Sequence, residues 1–268
     1  MKIIIPMAGI GERFIKAGYD KPKPFIVVNG KKIIDYIIDL FDEKDEFILI
    51  ANNKVNVEEV LSKNNKNIKI VYIDSHKKGP VFTVKHVFDQ IKDDEEIIVT
   101  YCDNPYRWNY KNFKKNVKKK KLDGCILSHM GLHPHALNST KMAFMKVDNE
   151  KVLEIKEKEC YTDNHLKEHA STGTYYFAKG IYVKKYFNEL MEKNINYNNE
   201  YYVTLVYNLM IKDNLNVGYY DTKFVTVFGT PEEVQSFEAW KVILNSGQVK
   251  NEKDLLRIYR YWKKYHNG

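Results

Sequence analysis

Lys2-Ile3-Ile4-Ile5-Pro6-Met7-Ala8-Gly9-Ile10-Gly11-Glu12-Arg13-Phe14 decides the architecture of this chain. Lys2–Pro6 is short and apolar, the pattern of a strand buried on both faces, and it runs straight into a glycine loop. The pattern returns at Phe47–Ala51, Ile68–Ile73 and Ile97–Tyr101. Between these strands, Ile33–Phe41 sets Ile33, Ile34, Ile37, Ile38 and Phe41 at helical spacing, and Val55–Leu61 and Val81–Ile91 also read as helices. Continuous apolar strands alternating with helices predict a parallel sheet covered on both sides. With right-handed crossovers the expected fold class is α/β, a Rossmann-like three-layer α/β/α sandwich. Ligands in such sheets sit at the carboxyl ends of the strands, so chemistry is expected in the loops after Pro6, Ala51, Ile73 and Tyr101.

The second half is more varied, and the central sheet is therefore expected to be mixed, though mainly parallel. Gly124–Ser128, Ala143–Val147 and Thr174–Ala178 read as strands, with a hairpin near Asp148 and Asn149. Tyr182–Met191, Glu200–Ile211 and Pro231–Leu244 read as helices, and Lys253–His266 as a last amphipathic helix. No linker, repeat or low-complexity segment interrupts the chain, which predicts one continuous domain.

Composition narrows the classes. The chain has 268 residues, 44% apolar and 13% aromatic, enough to form a core and too apolar for disorder. Cys102, Cys125 and Cys160 show no paired spacing, which argues against a disulfide scaffold or a cysteine zinc site and fits a reducing compartment. No apolar run approaches a membrane span, and the first residues lack the pattern of a signal peptide. The expected location is cytoplasmic, with no membrane partner. The net charge is +8, with its densest run at Lys111–Lys121. Phe113, Val117 and Leu122 keep an apolar face there, so the lysines read as a solvated helix face rather than a nucleic-acid patch.

The loop after the first strand brings Gly9, Gly11 and Arg13 together, with Lys21, Lys23 and Gly30-Lys31 downstream. Glycines let backbone N–H groups approach phosphate oxygens, and the cations can neutralise a triphosphate. A Walker A sequence would need Gly-Lys-Ser/Thr, and a dinucleotide fingerprint a third glycine near Phe14; both are absent.

Ala8-Gly9-Ile10-Gly11-Glu12-Arg13-Phe14, followed by Lys23-Pro24-Phe25-Ile26-Val27-Val28-Asn29-Gly30-Lys31, resembles the opening of the nucleotidyltransferase superfamily, above all the sugar-1-phosphate nucleotidylyltransferases. Further segments resemble that family in order: Tyr101-Cys102-Asp103-Asn104, Ile155-Lys156-Glu157-Lys158, Ser171-Thr172-Gly173-Thr174-Tyr175, Asn199-Glu200-Tyr201-Tyr202-Val203-Thr204 and Gly229-Thr230-Pro231. The resemblance implies the nucleotide-diphospho-sugar transferase type of fold and a role for each site residue. Ala8, Gly9, Gly11, Arg13, Lys23, Gly79 and Asp103 would bind the nucleotide. Arg13, Lys23 and Asp103 would carry catalysis, with Lys23, counted back from Gly30-Lys31, as the lysine on the phosphates. Glu157, Lys158, Gly173 and Glu200 would bind the acceptor. Asp103 would hold Mg²⁺, with Mn²⁺ as the alternative ion. The implied partners are an NTP and a phosphorylated small-molecule acceptor, with a homo-oligomer left open. Residues 1–268 would form a single nucleotidyltransferase domain: 1–122 the NTP-binding half, 123–230 the acceptor-binding half and 231–268 C-terminal helices.

The implied reaction transfers a nucleoside monophosphate to a phosphorylated acceptor, by default a sugar 1-phosphate, giving an activated precursor for surface polysaccharide, such as capsule. Two departures stand out. Many relatives carry a second metal-binding Asp where this chain has Val227; either Asp221, the nearest candidate in sequence, or another carboxylate substitutes, or the ion is held by Asp103 and the nucleotide alone. A glutamine-rich base-recognition stretch is replaced by Lys77-Lys78-Gly79-Pro80-Val81-Phe82-Thr83, which leans towards cytidine over thymidine. His129, His133 and His135 read as lining the acceptor pocket rather than holding zinc. The competing functions are a cytidylyltransferase acting on a non-sugar phosphate, a GT-A type glycosyltransferase, against which the absence of Asp-x-Asp counts, and a nucleotide-sensing subunit without turnover.

Overall fold

The computed structural model describes residues 1–57, 67–131, 133, 141–247, 249–251, 253–258 and 260. In chain order its strands are β1 (Lys2–Met7), β2 (Val27–Val28), β3 (Lys31–Lys32), β4 (Glu46–Asn52), β5 (Asn67–Ile73), β6 (Ile97–Thr100), β7 (Gly124–His129), β8 (Ala143–Asp148), β9 (Lys151–Glu157), β10 (His169–Phe177) and β11 (Val217–Asp221). The described α-helices are α1 (Glu12–Lys16), α2 (Ile33–Ile38), α3 (Gly79–Lys85), α4 (Tyr110–Lys119), α5 (Gly180–Glu192), α6 (Val203–Lys212) and α7 (Pro231–Asn245). Residues 253–258 are helical. The remainders of the helices expected over Val55–Leu61 and Lys253–His266 fall largely outside the described residues.

Nine strands form one sheet in the order β5-β4-β1-β6-β10-β7-β11-β9-β8. β5, β4, β1 and β6 run parallel; β10 opposes both β6 and β7; β7 and β11 run parallel again, and β9 opposes β11. The mixed, mainly parallel sheet is the expected one. Because alternate residues of a strand point to opposite faces, each strand supplies two cores. Ile4, Ile48, Ile50, Ile97 and Val99 pack with α3, α5 and α6 on one face. Ile3, Ile5, Phe47, Leu49 and Ile98 pack with α2 and α4 on the other.

Three differences from the sequence reading have physical causes. β9 is alternating and charged, with Glu157 and Val152 inward and Leu153 and Glu154 outward, and so lacks the unbroken apolar run of the other strands. β11 is short and carries Gly218 and an exposed Asp221. β10 begins at His169, five residues earlier than expected, because its polar residues are satisfied inside the sheet. Thr100 and Thr174 share a 2.7 Å hydroxyl contact, Thr172 Oγ1 donates to the Leu127 carbonyl, and Ser171 Oγ donates to the Tyr175 hydroxyl. The β8–β9 hairpin forms as read, turning through Asn149 and Glu150, both at positive φ.

β9 meets β11 through the single pair Gly218–Lys151. Asn208 of α6 makes up the missing ladder: its Nδ2 donates to the Ile155 carbonyl at 2.8 Å, and its Oδ1 accepts from the Ile155 N–H at 2.9 Å. This pins the strand that delivers Glu157 to the site. Asn208→Leu leaves two backbone groups without partners and is expected to lower stability by about 2 kcal/mol, measured by urea unfolding.

Candidate active site

A cleft of about 810 Å³ opens at the carboxyl ends of β1 and β6. Ala8, Gly9, Gly11, Arg13, Lys23, Gly79, Asp103, Glu157, Lys158, Gly173 and Glu200 all line it. Local backbone geometry explains how they arrive. Gly11 takes a left-handed conformation (φ +69°) and turns β1 into α1, which places Arg13 on the first turn. Gly173 (φ +84°) sits at a register shift in β10; a Cβ there would lie 2.9 Å from Asn104 Nδ2 and 3.0 Å from Tyr101 Cδ2. Only glycine lets the loop after β6 press so closely on β10. Gly79 (φ +83°) plays the same part at α3, where a Cβ would stand 2.7 Å from the Tyr201 nitrogen.

Lys23 Nζ and Asp103 Oδ2 form an ion pair at 2.7 Å on the cleft floor, with side chains 26% and 13% exposed. Burial opposes charge on Lys23, but Asp103 outweighs it and holds the ammonium well above the usual lysine pKa. A second ladder fixes Asp103. The Phe228 N–H donates to the Asp103 carbonyl and the Thr226 N–H to the Pro105 carbonyl, both at 2.8 Å, while Arg107 and Lys223 exchange backbone bonds. Residues 103–107 and 223–228 are thereby locked side by side, which brings Gly229 and the start of α7 against Asp103.

Across the cleft, Lys158 leaves β9 at φ +59°, a region unfavourable for a residue with a Cβ, held there by its N–H bond to the Met142 carbonyl. Its ammonium donates to the Tyr202 hydroxyl at 2.5 Å and lies over the Tyr202 and Tyr197 rings. The Tyr202 hydroxyl in turn donates to Glu200 Oε2 at 3.2 Å. Glu157 is buried, with Thr204 Oγ1 donating to its carboxylate at 2.5 Å.

Asp221 is not brought to this cleft. It lies at the end of β11, where its Oδ1 accepts from Ser128 Oγ at 2.5 Å and contacts His169 Nδ1 at 3.1 Å. The chain distance from Val227 misleads because the 223–228 ladder carries the two positions apart. His129 and His133 pack ring against ring at 4.7 Å and do not line the cleft, contrary to expectation; His135 lies outside the described residues. Tyr101, Tyr175 and Tyr202 line the cleft, whereas Tyr176 belongs to the core and Tyr201 points to Asn194. Among the described residues no group of three or more His, Cys, Asp or Glu side chains could hold a metal by itself. Sequence reading missed Glu233, which also lines the cleft. Thr230 caps α7 by accepting the Glu233 N–H, and the Thr-x-x-Glu spacing of a capping box was the available signal.

Burial raises the Glu157 pKa to about 7, against the lowering pull of Thr204 and Lys158. A carboxyl whose folded pKa exceeds its ordinary 4.5 contributes stability that is fully present below pH 4.5 and is lost as pH rises through 7. Glu157→Gln is expected to flatten that window, so that the wild type loses about 3 kcal/mol more than the variant between pH 4.5 and 8. Denaturant unfolding at both pH values measures it.

The sequence profile of the nucleotidyl transferase family matches residues 2–225. The bifunctional protein GlmU of Buchnera aphidicola is 27% identical over 217 residues, covering 80% of this chain and 46% of that protein. The chain spans about half the length of the curated relatives it matches. A nucleoside-diphosphate-sugar pyrophosphorylase from Vibrio cholerae superimposes with a TM-score of 0.72 at 22% identity, covering 88% of this chain and 98% of that one. The inositol-1-phosphate CTP transferase of T. maritima does so with a TM-score of 0.66 at 14% identity, over 88% and 94% of the two chains. These two likenesses establish the shared fold. Proteins of this family commonly use a divalent metal. Together with the glycine loop and the cation-lined cleft, the profile match makes this chain a member of the nucleotidyl transferase family.

Proposed function

We propose that this protein transfers a nucleoside monophosphate from an NTP to a phosphorylated small acceptor, by default a sugar 1-phosphate, and releases pyrophosphate. The product would be an activated precursor for surface polysaccharide, made in the cytoplasm. The observation that carries the proposal is the Lys23–Asp103 pair, on the floor between the glycine loop and the half of the cleft that holds Lys158.

An acceptor phosphate oxygen attacks the α-phosphorus; the bond to the bridging oxygen breaks, and its electron pair leaves on pyrophosphate. Both partners are anions, and two unit charges 4 Å apart repel by about 4 kcal/mol at an effective dielectric of 20. Positioning and charge neutralisation are therefore the main work of the protein. The Gly9–Gly11 loop offers backbone N–H groups to the triphosphate, and Arg13 faces the leaving phosphates. Lys23 bridges the α-phosphate and the acceptor phosphate. Lys158 holds the acceptor phosphate from the far wall, and Gly79 lets the backbone approach the base. Glu157, Gly173 and Glu200 shape the acceptor side, with residues 1–122 serving the nucleotide and 123–230 the acceptor. No side-chain base is needed, because a phosphate monoester is largely ionised at neutral pH. The floor fits a divalent cation: Asp103 offers hard oxygens, which suit Mg²⁺ or Mn²⁺, and such an ion supplies Lewis-acid neutralisation of the phosphates.

Pyrophosphate release, followed with each NTP, Mg²⁺ and a panel of phosphorylated acceptors, is expected to depend on the acceptor. Lys23→Ala and Asp103→Asn are each expected to lower kcat by about 10²–10³-fold with the fold intact. Tight NTP binding without turnover on any acceptor would point instead to a sensor, and near-normal rates in both variants would refute this site.

A further inference from the structure

We infer that Glu233 is the second carboxylate of the cation site, in place of the Asp that Val227 displaces. The inference rests on the proposed transfer only in naming the ion; the geometry stands apart from it. A Cβ placed on Gly229 would lie 3.1 Å from Glu233 Oε2, 3.4 Å from Asp103 Oδ2 and 3.8 Å from Val227 Cγ1. Three side chains from separate positions thus border one point on the cleft floor, and glycine keeps that point open. Position 227 reaches it with an apolar group, while Glu233 reaches it from the first turn of α7.

Helix capping does not account for the whole Glu233 side chain. Glu233 caps α7 by donating its N–H to Thr230 Oγ1. Its Oε2 nevertheless remains buried with no hydrogen-bond partner among the described residues. A buried carboxylate oxygen without a partner is unfavourable unless something positive completes it. Of the nearby cations, Lys23 has its ammonium held by Asp103 Oδ2, and Lys141 lines the cleft without a hydrogen bond to Oε2. Mg²⁺ typically takes one or two carboxylates, keeps several waters and finds its remaining ligands on substrate phosphates, which matches two carboxylates and a polyphosphate cleft.

The test uses the full chain and reads ion binding rather than turnover. Free Mn²⁺ is titrated by electron paramagnetic resonance with and without inorganic tripolyphosphate, which needs no knowledge of the base. Glu233→Gln preserves the capping geometry and is expected to weaken Mn²⁺ binding roughly 10–100-fold. Adding Val227→Asp to Glu233→Gln is expected to restore most of the loss, which a capping role alone would not do. A Glu233→Gln protein that binds Mn²⁺ like the wild type, while Asp103→Asn does not, would overturn the inference, as would a wild type that binds no Mn²⁺ in either condition. A protein that shows the Glu233-dependent site yet releases no pyrophosphate would refute the transfer and support the site.

Discussion

An ammonium and a carboxylate share the floor of a cleft suited to two polyanions. Alone, Asp103 would repel a triphosphate; alone, Lys23 would be a partly buried cation without a counter-ion. At 2.7 Å each holds the other in place before substrate arrives. The pair keeps charge on Lys23 despite burial, and it aims the side chain from the loop after α1 towards the end of β6. The remaining scaffold can be understood as what keeps those two groups in register. The parallel strands bring β1 and β6 side by side, the 103–107/223–228 ladder fixes the Asp103 backbone, and Gly173 leaves room for the loop after β6.

The two halves of the cleft are built by different means. The nucleotide side is a glycine loop on a parallel strand, where backbone N–H groups and Arg13 meet phosphate. The opposite side is a charged edge strand, β9, secured to α6 by Asn208 and to the core by Glu157 and Thr204. Lys158 extends from the end of that strand in a left-handed conformation, between tyrosine rings that confine its ammonium without neutralising it. Confinement without neutralisation is what a phosphate-binding cation requires.

The legible parts of the sequence share one feature: the local pattern and the tertiary environment agree. Lys2–Pro6, Phe47–Ala51 and Ile97–Tyr101 are apolar because helices cover both faces of the sheet there, so the parallel half could be read directly. β9 and β11 could not, since one alternates with charge and the other is short and holds a glycine. The start of β10 was hidden because its buried hydroxyls find their partners in the folded sheet, Thr172 and Thr174 on neighbouring strands and Ser171 on Tyr175 of β10 itself. At the site, the residues carried by the glycine loop and by the motifs after β6 and β9 converge on one cleft. Asp221 and Glu233 mark the limit of such reading. One lies six positions before Val227 and is carried away by β11, whereas the other lies six positions after it and is returned to the floor by α7.

The shared floor makes a direct claim about binding in the absence of divalent cations. Calorimetric titration of an NTP in EDTA, on the wild type and on Asp103→Asn, measures it. If Asp103 both repels the phosphates and occupies Lys23, its neutralisation should tighten metal-free NTP binding, and Lys23→Met should weaken it. Unchanged or weaker binding by Asp103→Asn would show that the pair does not control access to the cleft and would contradict the account.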